Sequence, residues 1–289
     1  MENTHAVHNG IFNYLDEIKI SPLSRAYTFS DSVYEVIPFY NFNIIAFDEH
    51  ITRLDKSCNS LSFKADIEKI AMEIKQLIKR SNLKNGYVYY QISRGIDPIR
   101  SHMFDANIQI ETFGYVVEHA FKSKTLKVML CEDLRWQRCD IKSTSLLGNV
   151  MSMNHAKDKG CEEVIMHKNN FITEGGASNI FFVKDNLVMT PALTNNILPG
   201  ITRELLIKAI KNEGIDVQEG KYTLEDLIDS ESIDNAIQKT IAIGGIDPLN
   251  FDIKVEEASM SQAQGWLEEK FPNGDFKHLV IDEENGVYE

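Results

Sequence analysis

The chain contains no run approaching the roughly 20 apolar residues that a membrane-spanning helix needs. Its first ten residues are polar and carry no apolar signal core, so a soluble, cytoplasmic protein without membrane contacts is expected. It is also short of basic residues: 30 Lys and Arg stand against 43 Asp and Glu, for a net charge of -13 at pH 7. That balance excludes a broad nucleic-acid footprint, which depends on clustered Lys and Arg releasing counterions, but leaves room for a local cationic pocket. Cysteine is scarce as well. Cys58, Cys131, Cys139 and Cys161 form no C-x-x-C pair, and the eight His are scattered, so reduced thiols and no metal site are expected. With 7 Pro, no low-complexity tract and no internal repeat, the disordered and fibrous classes fall away.

What remains is an ordinary globular composition, 43% hydrophobic over 289 residues, which is long for a single core and favours two domains. The polar stretch 118–124 lies between two apolar runs and is the candidate linker. It separates a smaller N-terminal α/β domain, 1–119, from a larger C-terminal one, 120–289.

Strand-like segments around Ile18 and over 33–40 flank the turn-rich Ser21-Pro22-Leu23-Ser24-Arg25 and predict a hairpin or meander. Ile67, Ile70, Ala71, Ile74, Leu77 and Ile78 recur at helical spacing, so 65–82 reads as an amphipathic helix. Residues 87–93 and 107–117 read as strands, as do 125–131, 163–167, 179–183 and 187–190. Helices are expected over 147–159, 202–213 (stopped by Gly214), 223–230 and 259–270. The acidic tail, 282–289, should fray. The fold class is mixed α and β.

Three segments have chemical potential. Leu198-Pro199-Gly200-Ile201-Thr202-Arg203 opens a helix whose first N–H groups attract anions, although alone it also reads as a Pro-Gly turn with a Thr cap. Lys142, in Cys139-Asp140-Ile141-Lys142-Ser143, becomes a nucleophilic amine if buried; spacing alone equally allows a solvated loop lysine. Thr173-Glu174-Gly175-Gly176-Ala177-Ser178-Asn179 sets a carboxylate before small residues that leave room for a ligand, or is a plain acidic turn.

Together these segments resemble the class IV, fold-type-IV aminotransferases, and among them the D-amino acid aminotransferases. The resemblance spans nearly the whole chain. It is carried by Arg25-Ala26-Tyr27, Asp31-Ser32-Val33-Tyr34-Glu35-Val36, Glu49-His50-Ile51-Thr52-Arg53-Leu54, Arg94-Gly95 and His102-Met103-Phe104, together with the three segments above. It implies a two-domain fold-type-IV architecture whose C-terminal domain carries pyridoxal 5′-phosphate as a Schiff base on Lys142, which also shuttles the α-proton. It further implies that Glu174 faces the pyridine nitrogen. Arg53, Ile201, Thr202 and Thr240 would hold the phosphate. Tyr34 would lie beside the substrate, and Arg100 and His102 would grip its carboxylate.

The implied reaction is transamination between a D-amino acid of the alanine, glutamate or aspartate type and a 2-oxo acid. It would run in a homodimer with active sites at the interface. The alternatives are a branched-chain L-aminotransferase, an (R)-amine aminotransferase, an aminodeoxychorismate lyase, or a non-catalytic binding protein that kept the fold. Val33-Tyr34-Glu35-Val36 favours the D-type. The chain departs from the family pattern in a loop 96–102 that is one residue longer. Ser30 and Ser32 stand where glycines are usual, Ala177 replaces a hydroxyl, and only Thr240 matches the second phosphate contact.

Overall fold

The computed structural model of the chain describes residues 4–121, 126–184, 187–228, 240–244 and 251–253. Contacts divide it into two compact units, Met1–Ala120 with Ile141–Leu146, and Phe121–Asp140 with Leu147–Glu289.

The first unit is built on β1 (His5–His8), β2 (Ile11–Tyr14), α1 (Arg25–Phe29), β3 (Ser32–Tyr40), β4 (Asn43–Ile44), α2 (Phe47–Ser60), α3 (Ile67–Ser81), β5 (Gly86–Ser93) and β6 (Glu111–Glu118). Its antiparallel sheet has the order β2-β1-β6-β5-β3-β4. Alternation sorts the two faces: β5 buries Val88, Tyr90 and Ile92, while Tyr87, Tyr89 and Gln91 stay half-buried on the other side. The buried face packs with Val33, Ile37 and Phe39 of β3, Leu54 and Cys58 of α2, and Ile70, Ile74 and Leu77 of α3. The α3 stripe is the one its spacing predicts. Asp66 caps the helix by accepting from the Lys69 N–H at 3.0 Å, and Asn82 ends it in the left-handed region, φ +55°.

The segment Ile141–Leu146 belongs to this unit because its main chain bonds to β3. Tyr34 N–H donates to the Lys142 carbonyl at 2.9 Å, Thr144 N–H donates to the Ser32 carbonyl at 3.0 Å, and Val33 bridges Ser143. Ile141 is buried in the same core. Lys142 therefore sits with the first unit and not with the C-terminal domain expected to carry it.

The second unit contains β7 (Val128–Glu132), α4 (Leu147–Asp158), β8 (Glu163–Lys168), β9 (Phe171–Gly175), β10 (Ser178–Lys184), β11 (Leu187–Pro191), α5 (Ile201–Asn212), β12 (Val217–Gly220), α6 (Leu224–Ile228), β13 (Thr240–Gly244) and β14 (Phe251–Ile253). They form a three-stranded sheet, β7-β8-β9, and a five-stranded sheet, β12-β11-β10-β13-β14. Ile165, Ile172, Ile180, Phe182, Tyr222 and Leu227 make one core cluster, and Phe181, Leu206 and Ile207 make another against α5. Gly214, at φ +75°, follows α5 as its stop.

Four sequence expectations need correction. No strand forms around Ile18; a short 3-10 turn, Leu15–Glu17, stands there, and the hairpin lies upstream as β1 and β2. Residues 21–25 lead into α1 and not directly into a strand. The strand expected over 107–117 begins only at Glu111, because Asp105 and Asn107 close a turn in which the Asn107 N–H donates to Asp105 Oδ1 at 2.7 Å. The expected linker starts on Glu118, the last residue of β6. The helix expected over 259–270 and the tail 282–289 lie outside the described residues.

Candidate active site

In the first unit, Lys142 is buried, with its Nζ 4.6 Å from the centroid of the Tyr34 ring. Its backbone N–H donates to Ser57 Oγ on α2 at 3.3 Å. One turn earlier on the same helix, Arg53 reaches Glu35 of β3, Nε to Oε1 at 2.6 Å and Nη2 to Oε2 at 2.8 Å. His50 Nδ1 meets Glu35 Oε2 at 2.8 Å. Burial by itself raises the Glu35 pKa, but Arg53 and His50 overturn that and hold the carboxyl far below the ordinary carboxylate range. Burial lowers the His50 pKa; Glu35 opposes this, while Arg53 and Lys142 add to it. The α2 spacing thus brings His50, Arg53 and Ser57 to one face, against the strand that carries Tyr34 and Glu35.

Arg100 and His102 lie on the exposed loop that follows β5, and both rest on Phe29 of α1. The Arg100 guanidinium is 4.4 Å from the ring centroid, and the His102 ring is 5.3 Å away, tilted at 59°.

In the second unit, Glu174, the penultimate residue of β9, is a buried carboxyl. Arg135 Nη1 donates to its Oε1, while the Leu198 N–H at 2.9 Å and Asn179 Nδ2 at 3.2 Å donate to Oε2. Burial pushes its pKa up to about 7, against the pull of Arg135 and the Leu198 amide. Arg135 is itself clamped by Asp133, Nε to Oδ1 at 2.9 Å and Nη2 to Oδ2 at 2.7 Å. Next door, Glu163 accepts from the Gly176 N–H at 2.8 Å and from Ser178 Oγ at 3.2 Å, fastening the small-residue loop between Glu174 and Asn179.

Ile201 and Thr202 open α5, both buried, behind Gly200 as N-cap; no side chain caps this start. A Cβ on Gly200 would lie 2.0 Å from Asn179 Oδ1, so any side chain there must displace Asn179. Thr240 opens β13, opposite Phe182 of β10; its side chain lies outside the described residues, as does Gly245.

Pyridoxal 5′-phosphate requires an amine, an acid for its ring nitrogen, and a holder for its phosphate. The first unit presents a buried amine at Lys142, and the second a buried carboxyl at Glu174 and, at Ile201, a helix start with no side-chain cap. Each of these residues has the chemistry to meet one part of the group.

Sequence reasoning assigned no role to Phe29, His50, Asp133 or Arg135. His50 had a signal, standing three residues before Arg53 on a helical stripe; Arg135, 39 residues from Glu174, had none.

The sequence model of the family described as amino-transferase class IV matches residues 32–234. The chain is similar to a D-alanine aminotransferase of Listeria monocytogenes, 34% identical over 217 residues that span 72% of this chain and 75% of that protein. It is also similar to a D-alanine aminotransferase of Staphylococcus epidermidis, 33% identical over 232 residues, 78% of this chain and 82% of that one. Among solved structures, the branched-chain amino acid aminotransferase of Escherichia coli superposes with a TM-score of 0.79 over 96% of this chain and 94% of that one. At 21% identity this is a likeness of fold alone.

Proposed function

We propose that this chain, which belongs to the class IV aminotransferases and so works with pyridoxal 5′-phosphate on an amino acid and a 2-oxo acid, takes its amino group from a D-amino acid of the alanine, glutamate or aspartate type. The observation that carries the proposal is the pair Arg100 and His102, two exposed side chains of one loop that each pack against Phe29. A planar guanidinium beside an imidazole suits a carboxylate, which accepts from both at once. Similarity to D-alanine aminotransferases over more than two thirds of the chain supports the D hand.

When bound, the cofactor supplies the electron sink for the carbanion at Cα. Lys142 Nζ is the attachment amine, and it takes the α-proton and returns it on the other side of the reaction. Tyr34, under that amine, holds it in one orientation and offers its hydroxyl to the substrate. Glu174 holds a proton on the ring nitrogen, with Arg135 and the Leu198 amide fixing the direction of its carboxyl. Arg53, oriented by Glu35, and the first-turn N–H groups of Ile201 and Thr202 bind the phosphate, with Thr240 as a further contact.

The enzyme works as a homodimer with active sites at the interface. Tyr27, Ile99 and Met103 in the first unit, 79%, 70% and 87% exposed, suit burial against a second copy. The four cysteines are free thiols, which suits the reducing cytoplasm. No helix among the described residues is long and apolar enough to cross a membrane.

The test is an absorbance spectrum of the purified holoenzyme before and after D-alanine, and separately L-leucine, with no acceptor present. Loss of the visible band with D-alanine alone is expected. Loss with L-leucine alone overturns the D reading in favour of a branched-chain L-enzyme. Sedimentation of the holoenzyme as a monomer would remove the dimer.

A further inference from the structure

Three arginines crowd the end of α1, and they are not equivalent. Arg25 is buried and committed: its Nε pairs with Asp31 Oδ2 at 2.9 Å, and its Nη1 reaches Asp97 Oδ2 at 3.2 Å and the Ser101 carbonyl at 2.6 Å. Arg94 is committed too, with Nε on the same Asp31 oxygen at 2.7 Å and Nη2 on the Leu61 carbonyl at 3.0 Å. Its guanidinium also stands 3.9 Å from the Phe104 ring centroid. These contacts hold the loop through the Asp97 carboxylate, the Ser101 carbonyl and the Phe104 ring. Arg100, between the pinned points, makes no ion pair among the described residues and is held instead over the face of Phe29. His102 packs against the same ring.

We infer that Phe29 is the platform that aims Arg100 and His102 at the substrate carboxylate, a positioning residue for specificity. The inference rests on the reading that these two side chains grip that group. A guanidinium held over a ring face is bound through its charge and keeps its N–H donors for a carboxylate, whereas an acidic partner would consume them. A tilted ring contact likewise leaves both imidazole nitrogens of His102 for the ligand. Phe29 therefore orders two exposed side chains before substrate arrives and lowers the entropy lost on binding. It is half-buried and belongs to none of the hydrophobic core clusters; its ring also carries the buried Arg25 guanidinium at 4.5 Å, a contact that Phe29→Tyr keeps.

The experiment is a cycle on the holoenzyme, measuring KM and kcat for D-alanine in the parent chain, Phe29→Leu, Phe29→Tyr, the double variant Arg100→Ala with His102→Ala, and that double variant carrying Phe29→Leu. Phe29→Leu is expected to raise KM about three- to fivefold with kcat held, the size of a lost exposed cation–π contact. Phe29→Tyr keeps a ring and should keep the parent KM. In the double variant, Phe29→Leu should change nothing further. An equal rise in KM in that background overturns the inference, as does a fall in kcat with KM unchanged, or a Tyr variant as impaired as the Leu variant. Should Phe29→Leu fail to accumulate folded, Phe29→Met takes its place under the same criteria. Failure of the D reading shows separately, as a parent chain that does not convert D-alanine. The platform then stands or falls by the same cycle on the amino acid that is converted.

Discussion

The main-chain N–H of Tyr34 donates to the carbonyl of Lys142 at 2.9 Å, and the Nζ of Lys142 returns to within 4.6 Å of the Tyr34 ring centroid. The backbone bond fixes the register of the lysine segment on β3, and the ring then limits where a buried amine can point. The two residues should consequently separate by kind of effect. Lys142→Ala is expected to abolish turnover and the visible cofactor absorbance. Tyr34→Phe keeps the ring and should keep the absorbance, while kcat/KM for the amino donor drops about fivefold for one lost hydroxyl hydrogen bond. An unchanged kcat/KM in that variant would remove the hydroxyl from the substrate.

Glu35 links β3 to both His50 and Arg53, and its charge makes the first unit acid-sensitive. Its folded pKa is depressed below the ordinary 4.5, so its stabilisation is fully present above that value and drains away as pH falls below it. Glu35→Gln removes the charge that faces the buried Arg53 guanidinium and should cost about 3 kcal/mol at pH 7. Thermal melts from pH 7 to 3 check both points: the gap between parent and variant should narrow below pH 4.5, and a constant gap contradicts the assignment.

Much of the fold was legible because its elements keep strict periods: α3 through its Ile and Leu stripe, β5 through alternation, α5 through its glycine stop. The β1–β2 hairpin escaped although its signal was present, since Asn9 and Gly10 take φ +50° and +81° as a tight hairpin turn requires. The helix α2 hides its apolar stripe of Phe47, Ile51, Leu54 and Cys58 among charged residues. Of the candidate site residues, local pattern singled out only the segments holding Lys142, Glu174 and Ile201, each with an ordinary turn or loop as the alternative, whereas Tyr34 and Arg53 came from the family resemblance alone. Arg135 and Phe29 could not be found in this way, because the Arg135–Glu174 and Phe29–Arg100 contacts join residues 39 and 71 positions apart, and no local spacing encodes such a meeting.

Glu174 combines a full set of donors with a pKa pushed up to about 7 by burial, so its proton is exchangeable near neutrality. Glu174→Gln keeps an acceptor for the Leu198 amide but removes the acid. The variant should retain bound cofactor and lose on the order of 100-fold in kcat, the scale of one general acid–base group. Without cofactor the sign reverses from that of Glu35. A raised carboxyl pKa costs stability above pH 7 and is relieved as pH falls from 7 to 4.5, so over that window the parent should gain melting temperature relative to Glu174→Gln. A parallel pair of melting curves would show that the carboxyl is not perturbed.

Gly200 tests whether the start of α5 holds the phosphate, without touching a charge. Its φ of −68° suits any residue, so an alanine there meets no backbone strain, only the Asn179 Oδ1 that would stand 2.0 Å from the new Cβ. Asn179 must then move, and it is tied to Glu174 Oε2 at 3.2 Å and to the Leu198 carbonyl at 3.0 Å. One methyl group should disturb the helix start and the Glu174 carboxyl together, while β3, α2 and Lys142, in the other unit, keep their own contacts. The expected result for Gly200→Ala is cofactor binding weakened by about tenfold, matching roughly 1.4 kcal/mol for one displaced polar contact. Equilibrium titration of the cofactor-free chain with pyridoxal 5′-phosphate, followed by absorbance, measures it directly. Parent-like affinity would mean that Asn179 yields freely and that the helix start is not where the phosphate is held.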